Sequence, residues 1–548
     1  MAKDIKFSND IREKIACGVK TLNESVRYTL GPKGRNVIIS EEYGMPLIIN
    51  DGVSIARKIE LKDQFENLGA KTLAEASIKT NDLVGDGTTS AIIVGSSLIL
   101  NGFEKIKMGV NPVILRKGLN HYLSIIIDYI NQNSQNIITN KDIYKVAYVS
   151  SASDEIATLI TNAYEAIGKD GVITLEESQG IETSLVVVNG YSYDRGYLSS
   201  YMANSTNMQA ELVNPYVLII DHKITNMNEL VPFLEVAIKE NRALFIICED
   251  IEQEVLSALV VNKLRGVLNV VCTKAPGFGQ KKTSMLKDIA LLTNSTFVSS
   301  PYQEISTLSN TLLGVAKKVI VSNNETIIMT DSKENIESRI NELKEQLLVT
   351  TSEYDKDMLQ KRISKLSGGI AIIKAGATTE LELKEKKLLI EDAICATRAA
   401  LSSGVIQGGG KIYYEISELL KDQAYNEYLD AKELLITALK QPFNQLVENT
   451  GLNLEDVLKQ VNKNMWFDAN QEKVVDFSNM NVIDPTSVAT TVIKNAISVA
   501  SILLTTECGI VEIAPKKEVN EDNLLWWIIM TKKHYLIKYQ NLKTKMLN

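Results

Sequence analysis

VLIID (residues 217–221), LFIICED (244–250) and LNVVCT (268–273) are three short apolar runs, and between them segments near 228–240 and 252–264 repeat apolar residues at helical spacing. Strands that alternate with helices predict a parallel sheet, because parallel neighbours need a long crossover and a helix supplies it. Working outward, residues 333–366 carry Ile336, Ile340, Leu343 and Leu347, then Leu359, Ile363 and Leu366, on otherwise charged stretches. That pattern predicts a solvated helical hairpin. It stops at Gly368 and Gly369, a left-handed helix end, before the short strand IAIIKAG. The stretch to about Asn133 alternates Gly-rich turns with helical patterns, and the same texture returns from about Ser403. A central α/β region is thus nested inside two outer segments of one kind.

A chain of 548 residues exceeds what one hydrophobic core organises, so several domains are expected. With 45% hydrophobic and 23% charged residues it has the make-up of a globular protein with large cores. A formal net charge of -8 offers no basic footprint for nucleic acid. Cys17, Cys248, Cys272, Cys395 and Cys508 are far apart with no CxxC pair, which argues against zinc, redox or disulfide roles and predicts buried small hydrophobes. The start, MAKDIKFSND, resembles neither a signal nor a transit peptide, and the apolar runs LSIIIDYI and LLWWIIM are too short to span a bilayer. A cytoplasmic protein without a membrane segment is expected.

GDGTTS (85–90) opens an apolar helix, AIIVGSSLIL, so its backbone N–H groups and hydroxyls sit at a helix N-terminus, a place suited to phosphate. Asp86 between two glycines suits Mg²⁺, which prefers carboxylate and water oxygen. Gly-Asp-Gly also makes ordinary turns. Three more loops, TLGPKGRN (29–36), NDGVS (50–54) and GGG (408–410), combine glycine with polar groups and together suit one nucleotide. No Walker A or dinucleotide-binding glycine motif occurs. Asp51, Asp392 and Asp484 suit metal, water-orienting or ribose-side roles, although a single Asp is most often a cap or a surface charge.

TLGPKGRNV, NDGVS, GDGTTS, DRGYLSSY (194–201), KAPGFG (274–279), LKEKK (383–387), IEDAICATRAA (390–400), GGG, DPT (484–486) and TTEC (505–508) occur in one order. That series resembles the group I, GroEL-type chaperonins from about Ala2 to about Pro515. The resemblance implies a multi-domain α and α/β fold. Residues 1–133 and 403–515 would form a helical equatorial ATPase domain, 134–189 and 371–402 an intermediate hinge domain, and 190–370 an α/β apical domain, with 516–548 an atypical tail. It also implies that Thr29, Leu30, Gly31 and Pro32 contact ATP, and that Asp86, Gly87, Thr88, Thr89 and Ser90 hold phosphates, with Mg²⁺ on Asp86. Gly409 and Asp484 would line the nucleoside side, and Asp468, Ala469 and Asn470 would approach the base. Asp392 would position the attacking water, Asp51 would stand near the γ-phosphate, and Thr29 and Asn50 would offer carbonyls to K⁺.

Helix 252–264 places Leu256, Val260 and Leu264 on one arc with Leu259 and Val261 to either side, broader than one packing contact uses. The resemblance assigns the grip on non-native polypeptides to Tyr197, Tyr201, Met202, Val231, Leu234, Leu256, Val260 and Val261. It implies a homo-oligomer of two stacked seven-membered rings, capped by a GroES-like co-chaperonin. Two departures stand out. Asn50 replaces the usual Lys, so that NDG resembles group II chaperonins. After Pro515 the chain runs into NLLWWIIMTKKHYLIKYQNLKTKMLN instead of a Gly-Met tail, either a frame scar or a basic, aromatic segment that contacts substrate. The competing readings are a holdase or toxin-type ring with little productive cycling, and a small-molecule kinase. The intact carboxylates weigh against the first and the broad apolar arc against the second.

Overall fold

The computed structural model describes residues 3–512, apart from 41–45, 138, 170, 179, 206–207, 299–311, 331–333, 423–427, 478–479, 481 and much of 351–368. The segment 516–548 therefore lies outside the described residues, as does Gly368. In the first part of the chain come helices α1 (Ser8–Val26), α2 (Gly52–Lys58), α3 (Gln64–Val84), α4 (Thr88–Lys107) and α5 (Pro112–Gln132). Their boundaries follow local chemistry. Asp63 accepts from the N–H groups of Phe65 and Glu66 to start α3, and Asn111 accepts from Val113 and Ile114 to start α5, with Pro112 in the first turn.

Next come α6 (Asn140–Ser151) and α7 (Asp154–Ile167), then the central region with α8 (Val231–Lys239), α9 (Gln253–Leu264), α10 (Gly279–Thr293) and α11 (Glu334–Val349). The chain returns through α12 (Glu380–Ser403), α13 (Lys411–Asp422), α14 (Leu429–Thr450) and α15 (Thr486–Leu504). Apolar burial divides into three main cores. One is built from α1–α5 together with α13–α15. A second joins α6, α7 and α12. The third lies wholly within residues 191–366. The first and last described strands, Lys3–Phe7 and Cys508–Glu512, pair antiparallel and close the first core.

The predicted parallel sheet is present. Tyr216–Ile219, Leu244–Cys248 and Val270–Lys274 run parallel, with Gly314–Val315 added antiparallel at one edge. A six-stranded mixed sheet connects the second core to the third, in the order 172–177, 370–375, 184–193, 326–330, 318–321, 210–213. The hairpin expected at 333–366 is less solvated than its charge suggested. Ile336, Leu343 and Leu366 are buried in the third core. Asp288, wholly buried on α10, accepts two bonds from Arg362 (2.7 and 2.8 Å) and one from Arg339 (3.0 Å), which ties that region down.

Two expectations need correction. All five cysteines are free, but only Cys248 and Cys272 are buried, whereas Cys17 and Cys508 are exposed and Cys395 is intermediate. Small size lets a cysteine sit on a helix rim as easily as inside. The reading of apolar runs also passed over α15, which is long and apolar enough to cross a membrane, with 67% of its apolar window buried in the protein. Its threonines and alanines hide it from a search for unbroken Leu and Ile. Packed against α3, α4 and α5, it is a core helix.

Candidate active site

The turn between α3 and α4 is where the chemistry starts. Gly85 ends α3 in the left-handed region (φ +68°), and a Cβ there would lie 2.3 Å from the Cβ of Cys395. Gly87 (φ +78°) precedes α4, and a Cβ there would lie 2.8 Å from both Val488 and Val492. Neither position tolerates a side chain. Gly87 has no group with which to accept from the first turn of α4, so the N–H groups of that turn have no side-chain cap. They are free to meet an anion.

Two loops are fitted against this turn. Asp51 caps α2, accepting from the N–H groups of Val53 (3.1 Å) and Ser54 (2.9 Å), so both oxygens are oriented. Gly52 allows the close approach: a Cβ there would stand 2.3 Å from Thr89 Oγ1. Thr29 shares a 3.2 Å hydrogen bond with the same Thr89 hydroxyl and donates to Val26 O at 2.9 Å. The Asn449 amide on α14 donates to Leu30 O (2.9 Å), which holds the 29–34 loop in place.

All the residues expected at a nucleotide line one cavity of about 550 Å³. Thr29, Leu30, Gly31, Pro32, Asn50 and Asp51 form one wall with Asp86, Gly87, Thr88, Thr89 and Ser90. Asp392, on α12, faces them from the second core. Gly409 and Asp484 lie at another side, with Asp468, Ala469 and Asn470 nearby. The Asp468 carboxylate accepts from the N–H groups of Asn470 (2.9 Å) and Gln471 (3.2 Å), so it shapes its own turn.

Burial concentrates negative charge here. Desolvation pushes Asp86 up to about 6, helped by Asp51 and opposed by the Gly87 N–H. Asp484 is pushed up to about 7 by burial and by Asp86, against a bond from the Gly409 N–H. Burial, with Asp51, Asp86 and Glu391, holds Asp392 well above the usual carboxylate range. Several carboxylates that cannot comfortably ionise together are what a cation site looks like in a protein alone.

Sequence reading missed part of the lining. Residues 149–153, at the end of α6, form a further wall, and the Ser150 hydroxyl is buried with no protein partner. No local motif marks VSSAS as more than the start of α7, so only the tertiary fold discloses it. Gly52, Tyr413 and Phe467 also line the cavity. The first was quoted in NDGVS, but its role as a contact point for Thr89 depends on packing.

The apolar face expected in the central region is only partly exposed. Tyr201 (65%), Val261 (44%) and Leu264 (65%) are open to solvent. Tyr197, Val231, Leu256 and Val260 are half-buried. Met202 and Leu234 are corrections, being buried at 0% and 5% exposure. Leu234 falls on the inward face of α8 with Phe233 and Ala237. The Met202 sulfur accepts from the Cys272 N–H at 3.3 Å, under the parallel sheet. The broad arc of α9 splits the same way, with Val255 and Leu259 taking the core side.

The TCP-1/cpn60 chaperonin family model matches residues 22–513. The chain is 43% identical over 528 residues to the chaperonin GroEL of Acholeplasma laidlawii (strain PG-8A), covering 94% of this chain and 98% of that one. Among solved structures it resembles chaperonin gp146 of the Pseudomonas aeruginosa bacteriophage EL, crystallised in the presence of ATP-BeFx. One crystal form gives a TM-score of 0.70 at 20% identity, covering 93% of this chain and 99% of that chain. A second crystal form gives 0.62. The fold is the GroEL-like multi-domain α and α/β fold, and the chain belongs to the TCP-1/cpn60 chaperonin family.

Proposed function

We propose that this chaperonin works as an ATP-driven foldase, capturing non-native polypeptides and promoting their folding in a ring cavity closed by a GroES-like co-chaperonin. The observation that carries this reading is the convergence of residues 29–32, 50–52, 86–90 and 409–410 with Asp392, Asp468 and Asp484 on a single cavity. We take the first core as the equatorial nucleotide-binding domain (1–133 and 403–515), the second as the intermediate hinge domain (134–189 and 371–402) and residues 190–370 as the apical domain.

The residues suit Mg²⁺-ATP. Among the described residues, no three His, Cys, Asp or Glu side chains form a complete metal cage. A cation held by Asp86 and completed by substrate phosphates and water fits that donor set, as is usual for Mg²⁺. Bound there, Mg²⁺ would neutralise charge building on the phosphate oxygens. The N–H groups at the start of α4, with the Thr88, Thr89 and Ser90 hydroxyls, would cradle the phosphates. The carbonyls of Thr29 and Asn50 are the K⁺ ligands of this reading, a role that survives the exchange of Lys for Asn because it is a backbone role.

Hydrolysis falls to this chain's carboxylates. Asp392, made more basic by burial, is suited to orient the attacking water and take its proton. Asp51, fixed by two backbone N–H groups, would hold the far side of the reacting centre. Because Asp392 belongs to the second core and Asp86 borders the first, nucleotide would draw the two together. The exposed Tyr201, Val261 and Leu264 would offer apolar contacts to clients. Two stacked seven-membered rings in the cytoplasm complete the reading.

The test is steady-state ATP hydrolysis by ring-sized protein, beside an Asp392→Ala variant, with refolding of an aggregation-prone client as second readout. Turnover and refolding in the wild type are expected. The variant should lose turnover about 100-fold or more while still capturing client. Capture without turnover by the wild type would reduce the protein to a holdase.

A further inference from the structure

Gly409 has no side chain, and both it (φ +65°) and Gly410 (φ +74°) sit in the left-handed region, so the peptides of this turn owe their orientation to outside contacts. Asp484 lies against this turn: a Cβ on the neighbouring Gly408 would stand 2.7 Å from its Oδ1. The Gly409 carbonyl accepts from the indole N–H of Trp466 at 3.1 Å. Trp466 lies in the strand Met465–Asp468, which pairs with Lys473–Asp476 and leads directly into the Asp468–Asn470 turn.

Trp466 is 2% exposed, with its ring 4.5 Å from that of Phe443 and 5.5 Å from that of Tyr414. An indole has one hydrogen-bonding group, and when buried it must find an acceptor. Here that acceptor is the glycine turn. A second tie runs beside it: Lys411, directly after the turn, donates to Lys463 O at 2.9 Å and lies 4.4 Å from the Phe477 ring centroid. Trp466 does not itself line the cavity, but Gly409, Phe443, Phe467 and Asp468 do.

We propose that Trp466 is a positioning residue for the nucleoside side of the site: its indole N–H fixes the Gly409 carbonyl, and with it the glycine turn against which Asp484 lies. The inference rests on the nucleotide reading of the cavity and adds a residue to it. Removing the donor frees a peptide between two left-handed glycines, so the turn beside Asp484 loses a fixed contact. Affinity for nucleotide should suffer and the hydrolytic step should not.

Trp466→Phe keeps ring packing and deletes the N–H. In the full chain its KM for ATP should rise about three- to tenfold, the worth of one ordinary hydrogen bond, with kcat within about twofold. Tyr414→Leu serves as a packing control; it removes a neighbouring ring, so it should melt earlier with KM unmoved. A KM rise in Tyr414→Leu equal to that in Trp466→Phe would show that packing, not the N–H, matters, and would overturn the proposal. A second measurement needs no change at Trp466. The chain has three tryptophans, so replacing Trp526 and Trp527 by Phe leaves Trp466 as the only tryptophan, read by excitation at a wavelength that tyrosine does not absorb. Its emission must change on saturation with Mg-ADP, and constant emission overturns the proposal. Wild-type turnover with an unmoved KM in Trp466→Phe defeats this inference alone. A wild type that neither binds nor hydrolyses ATP defeats the cavity reading and this inference with it.

Discussion

Asp86 and Asp484 make the site sensitive to pH in a direction that can be worked out. Their ordinary value is 3.8, and in the folded chain they stand at about 6 and about 7. Between those limits the folded state binds more protons than the unfolded state, so these groups lower stability as pH rises from about 4 to about 7. On the proposed reading, a cation with nucleotide would reverse that penalty only when the carboxylates are ionised. The rise in melting temperature on adding Mg-ADP should therefore be larger at pH 8 than at pH 5.5, measured by calorimetry at fixed ligand; an equal rise at both would show that these groups do not meet the cation. Gly52 supplies a second test. With a Cβ 2.3 Å from Thr89 Oγ1 and 3.1 Å from Thr89 N, Gly52→Ala must shift either α2 or the start of α4. Overpacking of this kind costs about 1–3 kcal/mol, and ATP affinity should fall more than thermal stability does.

At the scale of elements, helix faces set what the sequence disclosed. Short apolar runs between helical patterns are enough for the parallel strands at 216–219, 244–248 and 270–274, since these are buried on both faces and read as unbroken apolar runs. The face of α9 was harder, because an apolar arc broader than one contact does not say which part of it meets the core. Its buried arc is Val255 and Leu259, and its open end is Val261 and Leu264. Replacing both Val261 and Leu264 by Ser should weaken capture of an unfolded client several-fold while leaving the melting temperature almost unmoved, as surface changes usually do. A large loss of stability would mean that the two side chains pack inside the subunit. Asp288 behaves oppositely. Asp288→Asn would leave Arg339 and Arg362 facing a neutral group in the interior, and breaking a buried pair costs about 3–5 kcal/mol. Denaturant unfolding followed by probes in the central region should show that loss there first.

For the whole molecule, the cavity was legible as loops but not as a place. TLGPKGRN, NDGVS and GDGTTS each announce glycine-rich turns, yet the wall formed by residues 149–153 depends on how α6 packs against α12, which no local pattern encodes. The same holds for the junction between the first and second cores, where the chain crosses twice. Gln135 and Val405 pair across these crossings, while Ser134 Oγ donates to Ser403 O (3.0 Å) and shares a 2.7 Å bond with Thr486 Oγ1. Gly404 sits between, at φ 79° and ψ -175°, a region that only glycine occupies readily. A Cβ there would stand 2.6 Å from Ser134 Oγ and 2.7 Å from Gln135 O. Gly404→Ala must therefore strain the crossing that carries α12, and with it Asp392, relative to Asp86. The backbone term alone is about 1–3 kcal/mol. If nucleotide works by drawing the two cores together, the variant should bind ADP with near wild-type affinity through the first core, yet hydrolyse ATP about tenfold or more slowly, because Asp392 is displaced from its partners. Unchanged turnover would mean that the crossing yields freely and that Asp392 is positioned by the nucleotide, not by the hinge.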